Sequence, residues 1–258
     1  MKILTCNIRY FDADDGDNNW IYRKKMCVDV IKSQSADIIC FQEMRIQQFE
    51  YIAAALPEYA HYGLVDEPTG KSPANCIFYL KEKYNLISSS GYWLSEQPHI
   101  AGSSSWQSAC VRLANWVRLE DITTGVEFRV INTHLDHVSQ VARENQAQVI
   151  VDDSSAYPED YPQILTGDMN CSPENRAIEI FKTAWTDTYR CVHDEEYTGF
   201  TFHEFFVDKL NLENLGKIDW IFMRGKVETI ASEIIMDSVE GRYPSDHYFV
   251  SATVKING

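Results

Sequence analysis

The chain has 258 residues, 45% hydrophobic and 24% charged, so it is long enough to bury a substantial core and too apolar for a disordered polymer. Its 38 Asp and Glu against 23 Lys and Arg give a formal net charge of −15, a field that repels polyanions and anionic membranes and argues against strong nonspecific binding to duplex DNA. The 7 cysteines are odd in number, irregularly spaced and free of any C-x-x-C pair, which points away from a disulfide framework or a zinc knuckle and toward a reducing compartment.

The first strand-like run covers 2–8 in "MKILTCNIRY", and Asn19 is placed to cap a helix over 20–34, where Ile21, Val28 and Ile31 can share a face and "RKK" at 23–25 faces solvent. A strand at 37–41, a helix at 47–56, and strands at 75–79, 84–93, 111–119 and 127–133 follow. Then come a helix at 139–153, a strand at 163–166, a helix at 172–185 that Ser172 caps and Pro173 opens, and strands at 218–223, 227–236 and 248–255. Long loops at 65–74, 95–109 and 202–217 are of the length that often carries function. Trp93, Trp106, Phe202, Phe205 and Phe206 lie in or beside them, as stacking surfaces or as packing onto the body. No repeat or low-complexity linker divides the chain, so one domain over 1–258 is expected, an α/β sandwich with substantially antiparallel sheets. No apolar run reaches signal-peptide or membrane-span length, so the expectation is a cytoplasmic monomer with no membrane insertion.

Polar residues recur where these strands end. "ILTGDMN" stops on Asp168 and Asn170, which an extended chain projects to the same side, with Met169 turned back to the core and Gly167 leaving room for a phosphate. Asn7 ends the first strand, Glu43 follows "DIICF", His134 ends "FRVINTH", Asp219 lies in "KIDWIF", and Asp246 and His247 open the last strand. Each alone has a structural explanation as a turn amide, a helix-start carboxylate or a satisfied histidine. Together they predict one cleft in which Asp168 and Asn170 lie close to Glu43 and His247.

"TCNIRY", "ADIICFQE", "NTHLDH", "GDMNCSP", "KIDWIF" and "YPSDHYFV" resemble, in order and across essentially the whole chain, the endonuclease/exonuclease/phosphatase superfamily, and most of all its bacterial branch. The resemblance implies a DNase I-like four-layer sandwich, two β-sheets packed together with helices outside, and a divalent metal, usually Mg2+ with Mn2+ as the alternative. It also implies a hydrolase of phosphate esters: a nuclease, phosphodiesterase or phosphatase.

Ester hydrolysis needs an activated water, stabilised phosphoryl charge and help for the leaving oxygen. Glu43 and Asp246 offer the hard oxygen ligands that Mg2+ or Mn2+ prefers. By resemblance Asp168 is the general base or the group that orients the water, Asn170 contacts phosphate or the transition state, Asn7 positions the cluster and the metal's waters, and Asp219 orients His247 and favours its charged form. His134 and His247 are expected to face phosphate as cations, and Arg112 is a planar donor suited to two phosphate oxygens. His137 reads as an exposed loop histidine, and Asp136 has no assigned chemistry. The expected partner is a phosphorylated substrate, either a nucleic acid or nucleotide, or a small phosphate ester. The alternative is a catalytically silent module of the same fold that binds a phosphate ligand.

Overall fold

The computed structural model describes residues 1–64, 75–193, 199–205 and 216–257. The loop at 65–74, Phe206 and most of the loop at 202–217 lie outside them. Among the described residues the strands form two six-stranded sheets. The first runs, in spatial order, Val227–Ile235 (β11), Phe249–Ile256 (β12), Lys2–Asn7 (β1), Ile38–Gln42 (β2), Ile77–Leu80 (β4) and Tyr59–Tyr62 (β3). The second runs Tyr84–Trp93 (β5), Leu113–Asp121 (β6), Glu127–His134 (β7), Gln163–Asp168 (β8), Asp219–Arg224 (β10) and Thr186–Asp187 (β9). Among the described residues only β1/β2 and β7/β8 are parallel pairs, so the sheets are mixed but mostly antiparallel, as the hairpin-rich middle of the sequence predicts.

Successive strand residues face opposite sides, and here both sides are covered. Ile3, Ile38, Val130, Ile164 and Ile221 pack between the sheets. Their neighbours Leu4, Ile39 and Phe41 pack instead under Trp20–Ser33 (α1) and Ile46–Ala55 (α2). Ile131, Leu165 and Phe222 lie under Gln140–Ser155 (α3) and Arg176–Lys182 (α4). Four layers result, with the apolar runs of the sequence explained by burial of both strand faces at about 1.5–3 kcal/mol per large side chain.

The inner faces change character along their length. From one end to the other, β1 offers Ile3, Thr5 and Asn7, β7 offers Val130, Asn132 and His134, and β8 offers Ile164, Thr166 and Asp168. The middle of this series is a neutral polar layer joining the sheets. Gln42 Nε2 donates to Asn132 Oδ1 at 2.7 Å and to Thr5 Oγ1 at 3.0 Å, Thr166 Oγ1 donates to Asn132 Oδ1 at 3.2 Å, and Asn132 Nδ2 donates to the carbonyls of Phe41 and Cys76 at 2.8 and 3.1 Å.

Several local expectations need correction. Asn19 caps α1 through the Ile21 amide, but Ile21 itself is exposed, and the packed face carries Trp20, Cys27, Val28 and Ile31. Arg23 does not decorate a solvent face: it is 2% exposed and donates to the carbonyls of Ile8, Arg9, Asn18 and Pro244, because these loop ends carry acceptors that no ladder satisfies. α4 starts at Arg176 with Asn175 as its cap, not at Pro173, since the Asn175 side chain accepts from the Ala177 amide. The short strands β3 and β9 carry too few residues to show a period in sequence. No helix among the described residues is long and apolar enough to cross a membrane.

Candidate active site

The topology gathers the polar strand ends at one edge of the sandwich. In the first sheet β1 and β2 run parallel and deliver their carboxyl ends there, while the antiparallel β12 delivers its amino end. The second sheet repeats the scheme with β7, β8 and β10. His134 and Asp219 both register against Asp168, so the three side chains form one row across adjacent strands.

Asn7 joins this row to the other sheet. Its Nδ2 donates to Asp168 Oδ2 at 2.9 Å and to Glu43 Oε1 at 3.1 Å, while its Oδ1 accepts from the Arg9 amide at 3.0 Å. Glu43, at φ 63°, holds a left-handed backbone that few side chains adopt, and its second oxygen accepts from the Tyr10 amide at 3.1 Å. Asp168 ends its strand, so Asn170 does not follow as an extended neighbour. At φ 49° it turns back, its amide donating to Asp168 Oδ1 at 2.8 Å and its Nδ2 to the Leu135 carbonyl at 2.9 Å. The two side chains still share the cleft, and Met169 is buried in the core as expected. Gly167 has a different reason from the one its sequence position suggests. A Cβ there would stand 2.3 Å from the Thr133 carbonyl, so close approach of β7, not a phosphate, requires glycine.

Burial dominates the ionisation of the row. It pushes Asp168 up to about 7, with Asp219 adding to the rise and His247, the Asn170 amide and Asn7 opposing it. For His247 burial works against the cation, but Asp219, whose Oδ2 lies 2.8 Å from Nδ1, together with Asp246 and Asp168 holds it at about 10. His134, with Nε2 3.4 Å from Asp168 Oδ2, goes the other way: burial, then Arg112, His247 and His137, keep it neutral well below 6.5. The expectation of two imidazolium cations is therefore corrected to one, because Asp219 partners only His247.

Two groupings are candidates for a cation. The ligand atoms of Asp168, Asp219 and His247 lie within 4.8 Å of one another. There His247 Nδ1 and Asp219 Oδ2 are paired with each other, while Asp219 Oδ1 is buried without a hydrogen-bond partner. Glu43 and Asp246 form the harder oxygen pair. Burial raises the Asp246 pKa and Glu43 repulsion adds to it, against His247, Arg9 and Arg23, so a divalent cation held by these two carboxylates would relieve that repulsion. The donor set fits Mg2+ or Mn2+.

The cleft, of about 610 Å³, also takes in Arg112, His137 and Phe202. His137 is exposed, as expected, yet lines the site, and the Phe202 ring packs 4.9 Å from that of His247. Phe205 packs on the body beside Arg23. Arg9, Tyr10 and Arg45 are lining residues that the strand-end reading passed over. Their position just after Asn7 and Glu43 was the available signal. Arg9 pairs with Asp15 at 3.0 Å and lies 3.6 Å from Asp246, and Arg45 pairs with Asp12 at 3.3 Å. Three guanidiniums thus line the cleft of a protein whose net charge is −15.

A two-sheet sandwich with its acids, amides and histidines at one edge is the DNase I-like architecture. The chain belongs to the endonuclease/exonuclease/phosphatase family, whose profile matches residues 4–247. The crystal structure of an endonuclease/exonuclease/phosphatase from Bacteroides vulgatus is similar over 99% of this chain and 98% of that one, with 33% identity and a TM-score of 0.91. A mannosyl-6-phosphatase from Bacteroides thetaiotaomicron is similar over 99% and 100%, with 25% identity and a TM-score of 0.90. The Ccr4 3'-5'-exoribonuclease subunit of the CCR4-Not complex from Candida glabrata is 21% identical over 89% of this chain and 32% of its own length. The chain spans about a third of the length of that curated relative.

Proposed function

We propose that the protein is a divalent-metal-dependent hydrolase of phosphate esters acting through an activated water. The observation that carries this reading is the Asn7 amide, which ties Asp168 to Glu43 and so fixes a base and a metal-binding carboxylate in one arrangement across the two sheets. Mg2+ or Mn2+ bound at Glu43 and Asp246 would supply stabilisation of negative charge on the phosphoryl oxygens. Asp168, near neutrality in its pKa, accepts the proton of the attacking water. Its Asn170 and Asn7 hydrogen bonds hold the carboxylate still while it does so. The His247 cation, oriented by Asp219, faces the developing charge, and neutral His134 keeps Asp168 flanked by a dipole. Arg112 contacts the phosphate.

A small phosphate ester is favoured over nucleic acid by the charge of −15 and by a cleft of about 610 Å³, a volume that suits a metabolite-sized ligand. The likeness to a mannosyl-6-phosphatase supports the same choice. The test is phosphate release from a panel of sugar phosphates, inositol phosphates, nucleotides and single-stranded nucleic acid with Mg2+ or Mn2+. Release that needs the metal and disappears in Asp168→Ala is expected. A panel with no metal-dependent turnover removes the reading.

A further inference from the structure

Arg112 differs from the other cleft cations. Arg9 pairs with Asp15 and Arg45 with Asp12, but among the described residues Arg112 has no carboxylate partner. It is nonetheless 6% exposed, its Nε is buried without a hydrogen-bond partner, and among the described residues its guanidinium is hydrogen-bonded through Nη2 to His137 Nδ1 at 3.4 Å. Burying a guanidinium costs free energy unless an anion or acceptor compensates it, and Arg112 lines the same cleft as Asp168, Asn170 and His134. It stands immediately before β6 of the second sheet, whereas Glu43 follows β2 and Asp246 precedes β12 of the first.

We propose that the cleft selects a terminal phosphate, a phosphomonoester dianion, over a phosphodiester, and that Arg112 with His137 beside it is the group that makes the selection. The proposal rests on the hydrolase reading and sharpens it. A monoester presents three non-bridging oxygens and, with a second pKa of about 6, two negative charges at neutral pH. A diester presents two such oxygens and one charge, and its second ester substituent occupies one of the directions from which donors approach a monoester. Two N–H groups of a guanidinium match two oxygens of a phosphate in one plane; a monoester that fills the fork keeps a third non-bridging oxygen and a second negative charge for the other donors of the cleft, whereas a diester that fills it has neither to offer. Hydrolysis then breaks the bond from phosphorus to the ester oxygen, forms one from phosphorus to the water oxygen, and releases an alcohol and inorganic phosphate. No co-reactant is required.

The test compares p-nitrophenyl phosphate with methyl p-nitrophenyl phosphate, which share a leaving group, in the Mg2+-loaded wild type, Arg112→Met and Arg112→Lys. Wild type is expected to favour the monoester in kcat/KM; Arg112→Met should lose about 10²-fold on the monoester and only a few-fold on the diester. Arg112→Lys, which keeps the charge without the fork, should fall between the two. Equal use of the two esters by wild type, or equal losses on both in the variants, overturns the proposal while leaving hydrolysis intact. Calorimetry with inorganic phosphate and dimethyl phosphate reads the same site without turnover. Tighter binding of inorganic phosphate that weakens about tenfold in Arg112→Met supports the site even if neither ester is cleaved. Phosphate binding indifferent to Arg112 refutes it.

Discussion

His247 Nδ1 lies 2.8 Å from Asp219 Oδ2, with both side chains buried. This contact holds His247 charged up to about 10 against a desolvation that would by itself neutralise it. Because the folded pKa is raised from 6.5, the pair's contribution to stability is complete below about pH 6.5 and is lost as pH climbs through 10. Asp219→Asn should bring the imidazole down to or below its ordinary range and remove this alkaline loss. Ring-proton NMR titration follows the first effect and melting temperature against pH the second. A wild-type His247 that deprotonates below pH 7 contradicts the assignment.

Asn7 supplies a second prediction through charge. Its Nδ2 reaches Asp168 and Glu43 at once, so Asn7→Ala frees both carboxylates and should lower kcat by about 10²-fold with little change in fold. Asn7→Asp places a third carboxylate against the two. Like charge raises a carboxyl pKa, so the limb of the pH–rate profile governed by Asp168, expected near 7, should move to higher pH. A limb that stays in place in Asn7→Asp argues that Asp168 is not the base.

The third concerns the cation. If Glu43 and Asp246 hold it, Glu43→Gln and Asp246→Asn should each weaken Mn2+ binding about tenfold or more, as seen by electron paramagnetic resonance. The same binding should raise the wild-type melting temperature, since a ligand that binds only the folded state stabilises it. Chelation with EDTA should reverse the rise in the wild type and do little in the variants. An undiminished Mn2+ affinity in both variants would move the metal to the Asp168, Asp219 and His247 grouping.

The gathering of the site was legible because its members are polar residues interrupting apolar runs. Asn7, His134 and Asp168 stand at strand ends where the two-residue period demands something buried, and the structure brings them together on the inner face. What escaped was of two kinds. Backbone reversals at Arg9 and Glu43, with φ of 54° and 63°, are not written in residue type, whereas Asn170 at φ 49° is of a type that adopts this conformation more readily. Charge state depends on neighbours distant in sequence: His134 and His247 look alike in the chain, but only one stands against Asp219. Arg23 is a third instance, a helix residue whose acceptors come from loops up to 221 positions away.

The polar layer beneath the site gives the last prediction. Asn132 is fully buried and makes four hydrogen bonds, two received on Oδ1 from Gln42 and Thr166 and two given by Nδ2 to the Phe41 and Cys76 carbonyls. Asn132→Ala strands these partners away from water, and at about 1–3 kcal/mol for an unsatisfied buried group the loss should amount to several kcal/mol in urea denaturation. Replacing both sides of the inter-sheet contact behaves differently. In Gln42→Leu with Asn132→Leu the Gln42 donor no longer lacks an acceptor, so the double variant should lose less than the sum of the single ones. Activity should not share in that recovery. Asn132 precedes His134, and Gln42 precedes Glu43, by one period or less along their strands, so an apolar layer can close the gap between the sheets without holding those two residues in register. A double variant that regains stability and full kcat together would show that the layer serves only to join the sheets.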